Sequence, residues 1–185
     1  MWVDVDIINR ALRLVRAQSI SSLSEDTPLA AMVKDLYAPI KQLVLALHPW
    51  NNAIKRIKIG ADAIRPQFGF KYQFSLPNDC LRVVDCNANH WQREGGKLLA
   101  DNDVIAFQYI ADIPAVAMNA NLVRVLAARL AFELAQAQGE NTALTERLYK
   151  LYEAELASAK MIDAKEGSMG DFTYASSWID SHEGA

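Results

Sequence analysis

The chain has 185 residues, 51% of them apolar and 22% charged, with a formal net charge of −3. That length supports one sizeable core, or one core with a small inserted subdomain, and argues against two independent domains. The slight negative charge argues against a general nucleic-acid binder, and no apolar run approaches the roughly 20 residues that a bilayer span requires.

A first helix is expected from about Asp4 to Gln18, where Ile7, Ile8, Ala11, Leu12, Leu14 and Val15 recur at helical spacing. Arg10, Arg13 and Arg16 fall on the other side, and Asp4 and Asp6 complement the positive end of the helix dipole. Residues 19–26 are serine-rich and read as a loop. Asp26 or Thr27 then serves as N-cap with Pro28 in the first turn of a second helix, which runs to about His48. Its expected buried stripe is Met32, Leu36, Ile40, Leu43, Val44 and Leu47, with Pro39 as an expected kink. Trp50 closes this helix, packing over the helix-to-sheet junction with its indole N–H satisfied locally.

From Ile54 the period changes. Residues 54–59, 72–76 and 81–86 read as strands, 90–94 and 97–100 as a hairpin around Gly95-Gly96, and 104–110 as a further strand. Residues 53–117 are therefore expected to form a small antiparallel β-sheet or partial barrel inserted into a helical bundle made of residues 1–52 and 118–165. Cys80 and Cys86 lie six positions apart in one strand, roughly 20 Å at about 3.3 Å per residue, and are read as buried apolar side chains rather than a disulfide.

Asn119 or Asn121 caps a third helix through about Gln138, apolar around most of its circumference and so expected to be buried on more than one side. Gly139 stops it, and Asn141 caps a fourth helix to about Lys165 with the stripe Leu144, Leu148, Leu151, Tyr152, Leu156 and Ala159. At about 1.5 Å per residue that helix is roughly 36 Å long, more than a small bundle needs, so part of it is expected to face another subunit. Residues 166–185 form an extended C-terminal tail. It is rich in Gly and Ser yet carries Phe172, Tyr174, Trp178 and Ile179. A linker without a partner lacks such side chains, so these four are assigned a partner-binding role, on a neighbouring copy or another protein in preference to the tail's own domain.

Charge is unevenly distributed. Residues 1–75 hold ten Lys/Arg against six Asp/Glu, a net +4, and residues 76–185 hold nine against sixteen, a net −7. Copies with such halves can stack, or meet two partners of opposite sign. Lys55, Arg56 and Lys58 form a basic cluster that offers a DNA or partner contact, although lysines protecting an edge strand give the same pattern. The acidic start Met1-Trp2-Val3-Asp4 is unlike a signal peptide, and cytoplasmic synthesis is expected.

No P-loop, dinucleotide-binding glycine pattern or zinc-type spacing is present, and His48, His90 and His182 fall in three different elements. No cofactor and no metal site are expected. Asp101-Asn102-Asp103 opens like a calcium loop but lacks the later glycine and glutamate, and reads as a polar strand connection. Asp79 with Asp85, or Glu94 with Asp101, is a carboxylate pair of the kind a cell-wall hydrolase would use, and that enzyme is the alternative reading.

Taken in order, several segments resemble the head-to-tail adaptor, or tail tubular protein A, family of short-tailed bacteriophages. They are Ile8-Asn9-Arg10-Ala11-Leu12, Ile20-Ser21-Ser22-Leu23, Leu47-His48-Pro49-Trp50-Asn51-Asn52-Ala53, the stretch from Tyr72 to Val83, Trp91 before Gly95-Gly96, Tyr109-Ile110-Ala111-Asp112 and Leu126-Ala127-Ala128-Arg129-Leu130-Ala131. The resemblance covers nearly the whole chain. It implies an α+β subunit of a ring, typically of about twelve copies, seated in the virion between portal protein and tail nozzle protein, with genomic DNA passing through the lumen. It implies no catalytic set, no cofactor and no membrane.

Overall fold

The computed structural model describes residues 1–167. Helix α1, Asp4–Leu14, starts with the Val3 amide donating to Asp6 Oδ2 at 3.1 Å. It stops four residues short of the expected Gln18. Arg16 adopts a left-handed φ of 59°, its amide donates to Arg13 O, and Ala17 N donates to Leu12 O at 2.9 Å. This is the Schellman closure usually made by glycine. The reversal is secured by Asn9, whose side chain both donates to Ile20 O at 2.8 Å and accepts from Ile20 N at 2.9 Å, seating Ile20 in the core.

Helix α2, Pro28–Leu47, is capped by Thr27, whose Oγ1 accepts from Ala30 N at 3.1 Å, and runs through Pro39. Its buried face differs from expectation. Ala30, Val33, Tyr37, Ile40, Val44 and Leu45 are buried, Met32 and Leu36 are half-buried, and Leu43 and Leu47 are exposed. The helix is apolar over most of its circumference, so a 3.6-residue period leaves its rotation open. Tyr37 fixes it, donating to Asp4 Oδ1 of α1 at 2.7 Å.

The β region contains two three-stranded antiparallel sheets instead of one. Strands β1 (Ile54–Gly60), β6 (Val104–Ala111) and β3 (Cys80–Cys86) form the first in the order β1-β6-β3, with Ile54 opposite Ile110 and Gly60 opposite Val104. Strands β2 (Tyr72–Ser75), β5 (Lys97–Ala100) and β4 (Trp91–Glu94) form the second in the order β2-β5-β4. Gly95 and Gly96 take φ of 55° and 76° and close the β4–β5 hairpin, a conformation that side chains resist. Residues 101–103 form the polar connection to β6, as expected. Cys86 is buried, Cys80 is half-buried at the other end of β3, and both are free.

After a 3-10 turn, Ala115–Ala117, helix α3 covers Ala120–Ala137. Asn119 caps it through a bond from Leu122 N at 2.9 Å, and ten of its residues from Leu122 to Ala135 are buried. It packs against α1, α2 and α4, the last spanning Thr142–Gly167. Gly139 at φ 69° supplies the stop, and Asn141 Oδ1 accepts from Leu144 N at 2.9 Å. Leu148, Tyr152, Ala159 and Asp163 are buried on α4, while Tyr149 and Met161 are exposed on its outer side. One continuous apolar cluster runs from Ile7 and Leu12 through Leu126 and Leu130 to Phe74, Leu98 and Phe107, so helices and sheets share a core.

Burial, reinforced by Asp4, pushes the Tyr37 hydroxyl well above the ordinary tyrosine range. A raised value means the folded state holds the proton more tightly. Its contribution is complete below the unfolded value of about 10 and is lost as pH rises beyond it. Tyr37→Phe is expected to cost about 1 kcal/mol at neutral pH and to make urea stability less sensitive to pH above about 10 than in the wild type, checked by unfolding curves at both pH values.

Candidate functional site

Residues His48 to Ala53 join α2 to β1, and nearly every one of them bonds to a different element. His48 precedes a proline and is therefore extended, with φ −141° and ψ 147°. Its Nε2 donates to Asp163 Oδ2 at 3.0 Å, Asn51 N donates to Asp163 Oδ1 at 3.0 Å, and Asn51 Nδ2 donates to Asp163 O at 2.7 Å. Asp163 is 4% exposed, with both carboxylate oxygens bonded. Trp50, fully buried at the junction as expected, donates its indole N–H to Val44 O at 3.0 Å and meets the His48 ring edge-on at 4.6 Å. Asn52 Oδ1 accepts from the α3 cap residue Asn119 at 2.9 Å, and Ala53 O accepts from Ala111 N of β6 at 2.8 Å. The chemistry of this junction is positional: it sets α2, α3, α4 and the first sheet relative to one another.

The three basic residues that follow are divided by the alternation of a strand. Lys55 stands opposite Tyr109 and donates to Asp79 Oδ2 at 2.7 Å, while Asp79 Oδ1 accepts from Tyr109 OH at 3.2 Å. That bond holds the Asp79 carboxyl below and the Lys55 ammonium above their ordinary values, so Lys55 is already occupied. Arg56 and Lys58 share the other face. With Asp85, Asn87, Ala106 and Gln108 they line a shallow groove of about 440 Å³ on the outer face of the first sheet. Among the described residues neither makes an ion pair, and β1 is an edge strand, which free cations protect.

A second feature lies in residues 61–71, between β1 and β2. Ile64 and Phe68 are 74% and 87% exposed, although the loop that bears them is tied down on several sides. Ala61 N donates to Asp103 O at 2.9 Å and Asp62 N to Gln73 O at 2.8 Å. The Asp62 carboxylate accepts from Lys97 Nζ at 2.8 Å and from Ser75 N and Oγ at 3.1 and 3.0 Å, and the Lys97 bond is the main cause of its lowered pKa. Arg65 lies over the Tyr72 ring at 5.2 Å, and Phe70 stacks on His90 at 4.6 Å. The cleft between loop and β4–β5 hairpin has a volume of about 530 Å³.

The carboxylate pairs start from well-separated backbone positions. Asp79 precedes β3 and Asp85 lies near its far end, six residues on, or roughly 20 Å of strand. Asp101 follows Ala100, the partner of Trp91, whereas Glu94 pairs with Lys97, which separates the two by roughly 13 Å along the hairpin. A glycosidase pair needs less than about 10 Å. No group of three or more metal-ligating side chains occurs among the described residues. Phe172, Tyr174, Trp178 and Ile179 lie outside the described residues. Sequence reading missed the partnership of Asp163 with His48 and Asn51, and the display of Ile64 and Phe68. The latter left one signal, two large apolar residues amid Pro, Gln and Gly without a strand or helix period. No family model matches the chain, and no curated protein matches it.

Asp163→Ala removes the acceptor of the Asn51 amide and the His48 ring nitrogen at a part-buried site, an expected loss of about 1 to 2 kcal/mol. Urea unfolding gives the magnitude, and faster amide exchange in the last two turns of α4 gives the location. The lowered Asp62 and Asp79 carboxyls contribute stability that is present above their ordinary pKa of 3.8 and lost as pH falls through their folded-state values. The double variant Asp62→Asn/Asp79→Asn should therefore lose less melting temperature than the wild type between pH 7 and pH 3, as read by calorimetry.

Proposed function

We propose that the protein is a structural head-to-tail adaptor of a phage virion, a ring component between portal and tail nozzle through which genomic DNA passes without sequence-specific binding. The observation that carries this reading is the display of Ile64 and Phe68, at 74% and 87% exposure, on a loop fixed by Asp62, Arg65 and Phe70. Large apolar side chains displayed to solvent on an anchored loop suit a protein whose work is done against other protein surfaces. The resemblance supports the same reading, because the segment from His48 to Ala53 that carries part of it is built into the junction between helices and sheets. In this role the chain is not an enzyme and takes no cofactor. It is made in the host cytoplasm and resides at the head-tail junction of the virion. Arg56 and Lys58 meet DNA phosphates or an acidic partner, and Phe172, Tyr174, Trp178 and Ile179 bind the portal or a neighbouring copy.

Electron microscopy of the purified full chain, alone at high concentration and mixed with portal particles, tests this directly. Rings, alone or on the portal, are expected, and a monomer under both conditions refutes the proposal. Deleting residues 168–185 is expected to weaken attachment to portal particles at least about tenfold, the effect of losing one well-packed aromatic anchor. Unchanged attachment would remove the tail from the binding surface.

A further inference from the structure

The α3–α4 pair carries a groove of about 330 Å³ near the start of α4, open to solvent and lined chiefly by apolar surface. Phe132 and Tyr149 form its floor, their rings 5.3 Å apart, and Tyr149 is 41% exposed. Glu146, Lys150 and Glu153 rim it, and Glu153 follows Tyr149 by four residues on α4, on the same side of the helix. Arg129, whose guanidinium lies over the Phe132 ring at 5.4 Å, is paired with Glu133, which leaves the two rim glutamates against one lysine. The loop of residues 61–71 has the converse character. Ile64 and Phe68 project from it, Arg65 and Lys71 flank them, and its one acid, Asp62, is taken by Lys97.

We propose that the Ile64/Phe68 loop of one copy inserts into the Phe132/Tyr149 groove of the next, forming the contact between neighbouring copies. The proposal rests on the ring reading above and supplies its interface. Two physical matches favour a second copy as the occupant. An aromatic floor offers offset or edge contacts to an incoming Phe ring, which gain beyond simple burial, and a basic loop meets an acidic rim, which favours this orientation over others. Within one molecule the two do not meet, since Phe68 remains 87% exposed. When the knob and the groove of one copy engage two different neighbours the contact is head-to-tail, and such contacts close into a ring when the rotation between copies closes. Loop anchoring by Asp62, Arg65 and Phe70 means that little conformational freedom is lost on insertion.

The test uses the full chain. Phe68→Ser, at an exposed position that leaves the core untouched, is compared with wild type by light scattering and electron microscopy, alone and on portal particles. The expected result is a rise of at least about tenfold in the concentration for half-assembly. In parallel, Gln67→Cys and Thr145→Cys chains, which keep Phe68 and Tyr149 and carry Cys80→Ala and Cys86→Ala, are mixed under mild oxidation, and disulfide-linked dimers should appear that neither variant forms alone. Rings that persist at unchanged concentration in Phe68→Ser, or assembled mixtures without the cross-link, overturn this interface while the adaptor reading stands. A wild-type chain that remains monomeric in every condition overturns both.

Discussion

A single buried carboxylate fixes the geometry on which the displayed surfaces depend. Asp163 sits near the end of the last described helix, 115 residues after His48 and 112 after Asn51, yet it bonds to both. Moving a carboxylate from water into a site only 4% exposed is costly unless its oxygens are matched by donors, and here each oxygen has one. The result is directional. An apolar contact at the same place would let α4 slide or rotate on α3, whereas the Asp163 bonds accept one register. Tyr149, about four turns nearer the start of α4, and Phe132 on the facing α3 take their alignment from that register.

The same junction passes its constraint to the β region. Trp50 is held to α2 through Val44, Asn52 to the cap of α3 through Asn119, and Ala53 to β6 through Ala111. Lys41 adds an ion pair at 2.6 Å to Asp112, just beyond β6. With Phe74, Ile105 and Phe107 in the same apolar cluster as Val44 and Leu126, the sheets are extensions of the helical core. A loop mounted on such sheets is held at its ends by Asp62 and by the Lys71 amide, which donates to Asp101, and between them by the Arg65 and Phe70 ring contacts, while Ile64 and Phe68 stay in water.

Much of this was legible locally. The caps at Thr27, Asn119 and Asn141, the stop at Gly139 and the Gly95-Gly96 turn are chemical signals a few residues long, and each did what its residue type demands. The end of α1 was hidden because Arg16 occupies the position where glycine usually announces a stop. The rotation of α2 was hidden because Leu43 and Leu47 are as apolar as Val33 and Leu45, and the faces are told apart by long-range polar bonds, Tyr37 to Asp4 and Lys41 and Gln42 to Asp112. Division into two sheets depends on which strands pair over long separations, which local alternation does not encode. Treating Lys55, Arg56 and Lys58 as one cluster overlooked a rule that was available, since neighbours in a strand point to opposite faces.

That alternation decides which charges remain for a partner. Lys41, Lys55, Lys97 and Arg124 are each matched within the chain, by Asp112, Asp79, Asp62 and Glu155 respectively. Arg56 and Lys58 stand on the face of β1 away from Asp79 and keep their charge unmatched among the described residues. The formal imbalance between the halves of the sequence is therefore a poor guide to what a neighbour meets, because internal pairing removes part of the positive charge. Among the cations that remain, two on the edge strand β1 and two in the loop around Ile64 and Phe68 form local groups. Such small, fixed features discriminate between orientations of an approaching surface better than a diffuse excess of charge, since screening in salt erodes long-range fields before it erodes contacts a few ångströms apart.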